Sequence, residues 1–245
     1  MKTADFLTID IYERPPRGRI RWSRAVKGAL NGGLEGLRAA TVNYANNATH
    51  SLVPRIFPGG GALVAAWDSA EAAHAAFRGP LRVAAEGNDR FSLDGEVVRV
   101  KLNSDNDDWH GWRPVDVGTE PLADDEPMVA IVHGIVRPRE LTNFIHNNMH
   151  AASRAAHHPG HRGSVDVSSK LPFEHTSISL WKTLGLAQDY AYSPGGHAKA
   201  LKHALKTNTH KVGCFLRVRP LASTGSLGID APAFPNLPPA NRGEL

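Results

Sequence analysis

The sequence predicts an α+β protein built from two ferredoxin-like halves, that is, two split βαβ units joined in one chain. Both halves show the same order of patterns: a period-two apolar run, a helical stripe, further strands, a second helix and a closing strand. An acidic segment interrupted by prolines, residues 114–127, separates them. We therefore expect a first half at 1–118, a second half at 125–232 and a proline-rich tail at 233–245.

Composition supports a globular protein and excludes several other classes. Of the 245 residues, 41% are hydrophobic and 21% are charged, so the chain can bury a sizeable core. No run approaches the ~18 apolar residues of a membrane span, and the start of the chain lacks the apolar region of a secretory signal. The single cysteine, Cys214, excludes an intrachain disulfide. We therefore expect a cytoplasmic protein.

The elements of the first half follow from its apolar patterns. Residues 6–12 alternate as a strand, residues 62–67 form a buried strand, and residues 96–102 form a strand with Val98, Val100 and Leu102 on one face. A helical stripe begins at Trp22 and continues to Leu37. A second helix starts after Asp68 and Glu71, which resemble a capping box, and continues to residue 77.

The second half repeats this order. Residues 128–136, 164–169, 176–181 and 213–219 are predicted strands, and residues 138–157, 184–190 and 196–206 are predicted helices. The buried stripe of the first of these helices is expected to contain Leu141, Phe144 or Ile145, Met149 and Ala152. The tail after Ala231 is expected to be extended or loose, because prolines interrupt it.

The last predicted helix places His197 at the start of an apolar stripe. Ala200, Leu201 and Ala204 continue the stripe, whereas the lysines of this helix lie mostly on the other side. A buried imidazole needs a partner for its ring nitrogens or a metal ion. From the residues alone, a core or capping histidine and a metal ligand both remain open. The small alanines leave room for a large flat group against the helix.

Four motifs carry a resemblance to a known family. The strand at 173–181 ends in Ser179-Leu180-Trp181, and Tyr190-Ala191-Tyr192 precedes His197-Ala198-Lys199-Ala200. The closing strand contains Phe215-Leu216-Arg217, followed by Gly225 and Pro232, and a Trp-x-Gly-x-x-Pro element begins at Trp109. These motifs resemble the spheroidene monooxygenases, which are acyclic carotenoid oxygenases similar to haem proteins of the dimeric α+β barrel type. The resemblance is best between about residues 129 and 232.

The resemblance implies a dimeric α+β barrel-like fold within one chain and a haem-dependent monooxygenase-like enzyme. It implies that His197 is the axial ligand of haem b, and that the haem contacts Ala200, Leu201, Ala204, Trp181 and Arg217. It also implies a hydrophobic small-molecule substrate. No flavin or nicotinamide motif is present, so electrons are expected from an external ferredoxin or reductase. Two positions depart from the family, which shows tryptophan where this chain has Thr209 and Leu227.

Two other functions and the oligomeric state stay open at this point. One is a haem enzyme with different chemistry, such as dehydration or N–O chemistry on a nitrogenous metabolite. The other is a haem-binding protein without catalytic activity. A homo-oligomer is compatible with the sequence.

His133 is the candidate catalytic residue. It lies between Ile131 and Ile135 on the face of a predicted strand, and this face is expected to point inward. There, an imidazole could hydrogen-bond bound dioxygen or protonate its outer oxygen. The alternative is a histidine near a strand end that is bonded to the backbone.

Three other groups give weaker hypotheses. His146 and His150 share a helix face upstream of the cluster at 157–161, but without an accompanying acidic residue we expect a solvated surface. Cys214 is expected to be a buried core residue and not a thiolate ligand. A basic segment, residues 14–24, holds five arginines and Trp22 but no nucleic-acid-binding motif, so no nucleic acid is expected. We expect an exposed basic loop, which could also contact an anionic membrane surface, although Trp22 fits the buried stripe of the first helix as well.

Overall fold

The computed structural model describes most of the chain. The described residues are 5–15, 18–46, 60–85, 90–104, 107–113, 120–170, 172–193, 198, 207, 209–228, 232–240 and 242.

The first half is a four-stranded antiparallel sheet covered by helices. Its elements, in chain order, are β1 (Phe6–Tyr12), α1 (Arg19–Asn31), β2 (Leu37–Asn46), β3 (Gly61–Trp67), α2 (Ala70–Arg78), α3 (Arg82–Ala85) and β4 (Phe91–Leu102). The strand order is β4-β1-β3-β2, which is the order of a ferredoxin-like split βαβ unit.

The second half repeats this arrangement. Its elements are β5 (Met128–Val136), α4 (Leu141–Ala156), β6 (His161–Ser168), β7 (Glu174–Trp181), α5 (Leu184–Tyr192) and β8 (His210–Gly225), with a short 3-10 turn (Pro138–Glu140) before α4. The strand order is β8-β5-β7-β6, equivalent to that of the first half.

The two sheets join along both edges into a closed eight-stranded barrel. At one seam β4 pairs with β8, from Phe91 opposite Gly225 to Leu102 opposite Cys214. At the other seam β2 pairs with β6, where Tyr44 lies opposite Ser168. Because equivalent strands meet at each seam, the halves are related like the subunits of a dimer. The predicted fold, two ferredoxin-like halves in a dimeric α+β barrel-like arrangement, is therefore confirmed.

Alternation along the strands divides the side chains between the barrel interior and the helix-covered outside. Leu7, Ile9 and Ile11 of β1 point inward, as do Val129 and Ile131 of β5, and all five are fully buried. This interior is a packed apolar core.

Outside the barrel, α1 and α2 cover the first half. Trp22 of α1 is 1% exposed, and its ring centroid lies 4.8 Å from that of Tyr12 on β1. Ser69 caps α2 by accepting a hydrogen bond from the backbone N–H of Ala72 over 3.2 Å. The buried position of Trp22 contradicts the idea that its indole inserts into a membrane surface, because the ring already packs in the core. No helix within the described ranges is long and apolar enough to cross a membrane.

The structure adds one strand to the sequence prediction for the first half. The predicted helical stripe extends to Leu37, whereas α1 ends at Asn31 and Leu37 begins β2. Gly33 and Gly36 have φ values of 75° and 70°. This left-handed backbone, which glycine adopts readily, ends the helix and turns the chain into the strand.

The expectation that Val98, Val100 and Leu102 share one face is wrong. The pairing of β4 with β8 shifts register between Val97 and Arg99. This irregularity lets Val98 pack outside with the second-half helices, while Val100 and Leu102 pack against the interior.

The expectation of a loose tail is also wrong for its described residues. Ala233 and Phe234 join the barrel core, with 0% and 5% of their surfaces exposed. Arg242 is 6% exposed and forms ion pairs with Asp10 and Asp94. Prolines do keep this segment irregular, but apolar and ionic contacts hold it against the barrel.

Candidate functional site

A tight hairpin after β4 closes one end of the barrel in the second half. The backbones of Trp109 and Trp112 bond each other in both directions, with N···O distances of 2.8 and 3.0 Å. Between them, His110 and Gly111 have φ values of 51° and 85°, as a type I′ turn requires at both central residues. The two indoles are 0% and 6% exposed and belong to the barrel core. Their packing fixes the position of the His110 imidazole at the barrel end.

His133 reaches the same barrel end from β5. It follows Val129 and Ile131 on the inward face of the strand and is 5% exposed. Its Nδ1 lies 2.9 Å from the hydroxyl oxygen of Thr176 on the neighbouring strand β7. Burial, helped by the nearby His110, lowers the pKa of His133 to about 4. The inward orientation expected from the sequence is confirmed, and His133 is neutral near pH 7.

Glu174, at the start of β7, completes what we call the barrel-end cluster: His110, His133 and Glu174. One potential ligand atom from each of the three residues lies within 4.8 Å of the other two. The Glu174 carboxylate is 4% exposed and accepts a hydrogen bond from the Ser169 hydroxyl, at 2.7 Å and 2.9 Å from its two oxygens. Sequence reasoning missed this cluster because its members come from a loop and two strands. One signal in the sequence could have found Glu174. It is separated by two, four and six positions from Thr176, Ile178 and Leu180, so it shares their inward face of β7.

The contact between His110 and Glu174 is close without being a hydrogen bond. His110 Nε2 lies 3.5 Å from Glu174 Oε1, and this buried nitrogen has no hydrogen-bond partner among the described residues. Burial lowers the pKa of His110, whereas the negative charge of Glu174 opposes this change. The site therefore combines imidazole nitrogen with a buried carboxylate, which are groups that hold a transition metal ion or relay a proton.

A second feature is the outer surface of the second-half sheet, which we call the open face: the outward side of β5, β7 and β8 around Val132. Val132 is 37% exposed, although it sits mid-strand between Ser177 of β7 and Phe215 of β8. In the equivalent strand of the first half, β1, all seven residues are buried. Among the described residues, the middle of β5 is therefore less completely buried than the middle of β1.

Helix α4 is also incompletely buried. Its predicted buried stripe, Leu141, Phe144, Ile145, Met149 and Ala152, is only half-buried, whereas Ala151 and Ala155 are buried. The predicted stripe is wrong in this respect. The helix packs closely through its small residues near its C-terminal end and leaves its larger apolar side chains partly exposed.

Arg217 and Trp181 lie on the outer side of the sheet. Arg217 alternates with the inward-facing Leu216 and Val218, and it is paired with Ala130 on β5. Its Nε is buried without a hydrogen-bond partner in the described part of the chain. Trp181 is 3% exposed, and its ring centroid lies 5.0 Å from that of Tyr190 on α5. The structure therefore does not bring these two side chains to the same face as His133, which points into the barrel.

Two further histidines, which sequence reasoning did not single out, face outward beside Gly134 of β5. Nε2 of His175 on β7 lies 3.0 Å from Nε2 of His210 on β8, and the His175 ring packs on Phe144 of α4, with 4.3 Å between centroids. Burial lowers the pKa of both histidines, well below the usual value for His175. A Cβ at Gly134 would lie only 2.4 Å from the His210 ring, so the His210 ring fits here only because residue 134 is glycine.

The predicted axial ligand and its helix fall outside the described residues. This applies to His197, Ala200, Leu201 and Ala204. Their roles stay predictions.

The remaining candidates belong to neither feature. The rings of His146 and His150 lie 4.5 Å apart on α4, and both residues are exposed. Cys214 is a buried free thiol in the barrel core, as predicted.

Comparison with known proteins gives low similarity. No protein-family model matches the chain, and no curated protein sequence matches it. A solved structure of a proposed monooxygenase from Fusobacterium nucleatum is 12% identical, covering 93% of this chain and 98% of that chain, with a TM-score of 0.40. A ferredoxin-fold protein from Listeria monocytogenes, related to antibiotic biosynthesis monooxygenases, is 10% identical, with coverages of 89% and 96% and a TM-score of 0.33. A heme-degrading enzyme, also from Listeria monocytogenes, is 10% identical, with coverages of 86% and 98% and a TM-score of 0.30.

Proposed function

We propose that this protein is a haem-dependent oxidoreductase of the monooxygenase type, with the haem held on the open face. The observation that carries the proposal is the exposure of Val132, at 37%, in the middle of a strand whose first-half equivalent is fully buried. Apolar surface left exposed in the middle of a sheet is the kind of surface to which a flat hydrophobic ligand binds.

The residues of the open face fit a large planar group. Short side chains make up part of its floor, because Val132 has Ser177 beside it on β7 and Ala130 two positions away on β5, while Phe215 of β8 lies on the other side of Val132. Phe144 and Met149 of α4 supply half-buried apolar surface at the helix. Short side chains below and apolar side chains above suit a porphyrin better than a small polar metabolite.

The ends of the open face provide polar groups. Arg217 has a buried Nε without a hydrogen-bond partner within the described ranges, and its guanidinium would bind a haem propionate. His197 is the proposed axial ligand, and Ala200, Leu201 and Ala204 would contact the macrocycle. Bound there, haem would supply the iron at which dioxygen is activated.

The chain's own residues would bind and orient the substrate. The partly exposed apolar residues of α4 would hold a hydrophobic small molecule and exclude water. His175 and His210, both with a lowered pKa, would present neutral imidazoles that can accept or donate one hydrogen bond each. Trp181 is packed against Tyr190 and would support this face rather than line its centre. Electrons would come from a separate ferredoxin or reductase.

Hemin titration tests the binding site. We expect one hemin per chain, a Soret band, and at least a tenfold weaker affinity in Val132→Trp, because an indole would occupy the surface that the haem needs. Leu221→Trp is the matched control, since Leu221 is also an exposed apolar residue, on β8, at 42% exposure. His197→Ala should lose the Soret band that His203→Ala retains. Equal hemin affinity in Val132→Trp and the wild type would overturn the location.

Turnover tests the reaction. The haem-loaded protein, supplied with a reductant and dioxygen, should oxygenate a hydrophobic polyene faster than free hemin does. Stoichiometric haem without any such turnover would instead support the haem-binding protein without catalytic activity. Turnover confined to an aldoxime or another nitrogenous compound would support the alternative haem chemistry.

A further inference from the structure

The barrel-end cluster has the composition and spacing of a metal site. His110 Nε2 and Glu174 Oε1 are 3.5 Å apart, and the potential ligand atoms of all three residues lie within 4.8 Å of one another. Two ligands of a tetrahedral zinc ion, each about 2.0–2.1 Å from the metal, are about 3.4 Å apart. A small closure of the His133 ring would therefore bring all three atoms to bonding distance of one ion.

The residues around the cluster hold each ligand in the required form. The hydroxyl oxygen of Thr176 lies 2.9 Å from Nδ1 of His133. When Nδ1–H donates to this oxygen, the lone pair of Nε2 is free to bind a metal ion. Ser169 donates its hydroxyl proton to the Glu174 carboxylate over 2.7–2.9 Å. Such outer partners orient the ligands of most protein metal sites.

His110 provides an independent sign of function. Its Nε2 is buried and has no hydrogen-bond partner in the described part of the chain, which is rare for a polar atom. Its backbone φ of 51° is uncommon for a residue with a side chain. Asparagine or glycine would suit this turn position better. A metal ion would satisfy the nitrogen and account for a histidine there.

The cluster reaches solvent on one side. The side chains of His133 and Glu174 are about 5% and 4% exposed, whereas that of His110 is 20% exposed. The site is thus buried on the barrel side and reaches solvent past His110. Two imidazoles and one carboxylate with an open position suit zinc or ferrous iron, whereas calcium and magnesium prefer oxygen ligands.

We propose that His110, His133 and Glu174 bind one divalent transition metal ion, zinc or ferrous iron, at the end of the barrel. This site is separate from the open face, because His133 points into the barrel whereas Val132 and Arg217 point outward. The proposal does not depend on haem.

Metal titration of the full chain, stripped with a chelator, tests the proposal. Cobalt(II) reports the site through its visible absorption bands, and calorimetry with zinc gives the stoichiometry. We expect one tight site per chain, and at least a hundredfold weaker affinity in Glu174→Gln and His133→Asn. Thr176→Val, which removes only the outer partner of His133, should weaken binding about 10- to 100-fold. Circular dichroism verifies that each variant is folded.

The control addresses the exposed histidines of α4. His146→Gln combined with His150→Gln removes the pair that could bind metal at the surface, and it should leave the tight site unchanged. Loss of tight binding in this double variant alone, or no tight site in the wild type, would overturn the proposal. Hemin titration of Glu174→Gln separates the two sites, because its Soret band should match that of the wild type whatever happens to metal binding.

Discussion

Arg242, near the end of the chain, donates a hydrogen bond from Nε to Oδ1 of Asp10 on β1 over 2.9 Å. The same guanidinium also pairs with Asp94 on β4 and donates from Nη2 to the backbone carbonyl of Leu93 over 2.8 Å. All three charged residues are at most 6% exposed. The tail therefore joins two adjacent barrel strands through a buried ionic network.

Removing this cation should strongly destabilise the fold. Arg242→Met leaves Asp10 and Asp94 buried without their counter-charge, and we expect a loss of about 3–5 kcal/mol in the free energy of unfolding. Urea unfolding at pH 7.5 measures it. Arg38→Ala is the control, because Arg38 pairs with Asp5 and Asp68 at a more exposed position, with 42% of its side chain accessible. That variant should lose less than about 1 kcal/mol. Equal losses would show that the tail network adds no more than a surface pair.

Substitutions at the two central residues of the turn between Trp109 and Trp112 should have different effects on the free energy of unfolding. Gly111→Ala forces a side chain into left-handed backbone at φ 85°, and we expect it to cost about 1–2 kcal/mol. His110→Asn should be neutral within about 0.5 kcal/mol or stabilising, because asparagine favours this turn position. Thermal or urea unfolding of the metal-free protein compares the two. A large loss in His110→Asn would mean that the imidazole is needed for folding rather than for binding.

The fold could be predicted from the sequence because its strands have strong alternation and the halves repeat one order. The boundaries of β5 agree with the prediction, and the inward face of His133 follows directly from period-two alternation. By contrast, β2 could not be predicted from the sequence. Its run Leu37–Asn46 mixes apolar with polar residues, and no proline separates it from the helical stripe before it. The face of Val98 depends on a register shift against β8, which is a tertiary feature.

Cys214 should be chemically inert in the native protein. It is 3% exposed, and burial, with Asp107 and Asp108 nearby, raises its pKa to about 12. At pH 8 its thiolate fraction is then about a thousandfold or more below that of a free cysteine, whose pKa is about 8.5. Labelling with an aromatic disulfide should be slower by at least this factor than in urea. Rapid labelling without urea would show that β8 opens locally at this residue.

The candidate sites were only partly predictable, for a physical reason. His133 is identified by its own strand, but its neighbours His110 and Glu174 are 23 residues before it and 41 residues after it in the chain. A type I′ turn and the β5–β7 register bring them together, and neither is visible in a local pattern. The pairing of His175 with His210 likewise depends on the strand order of the closed barrel.

The outward-facing pair of His175 and His210 should make the fold less stable in mild acid. The folded-state pKa of His175 lies well below its usual value because the ring is buried and faces His210. The unfolded chain therefore takes up the proton first, at about pH 6.5. When folding lowers the pKa of a histidine, the fold keeps its full stability at pH values above the unfolded-state pKa. This stability is lost as the pH falls from the unfolded-state pKa towards the folded-state pKa. Each such histidine contributes up to about 1.4 kcal/mol per pH unit.

Urea unfolding of the wild type and of His175→Gln between pH 7.5 and 5 measures this contribution. Glutamine can keep a hydrogen bond to His210 but does not titrate, so the variant should lose less stability over this interval. His146→Gln, which changes an exposed histidine of α4, should follow the wild type. If His175→Gln loses as much stability as the wild type, His175 does not remain neutral in the folded state. A proton on His175 would then be held by a hydrogen bond from its Nε2–H to the unprotonated Nε2 of His210, 3.0 Å away.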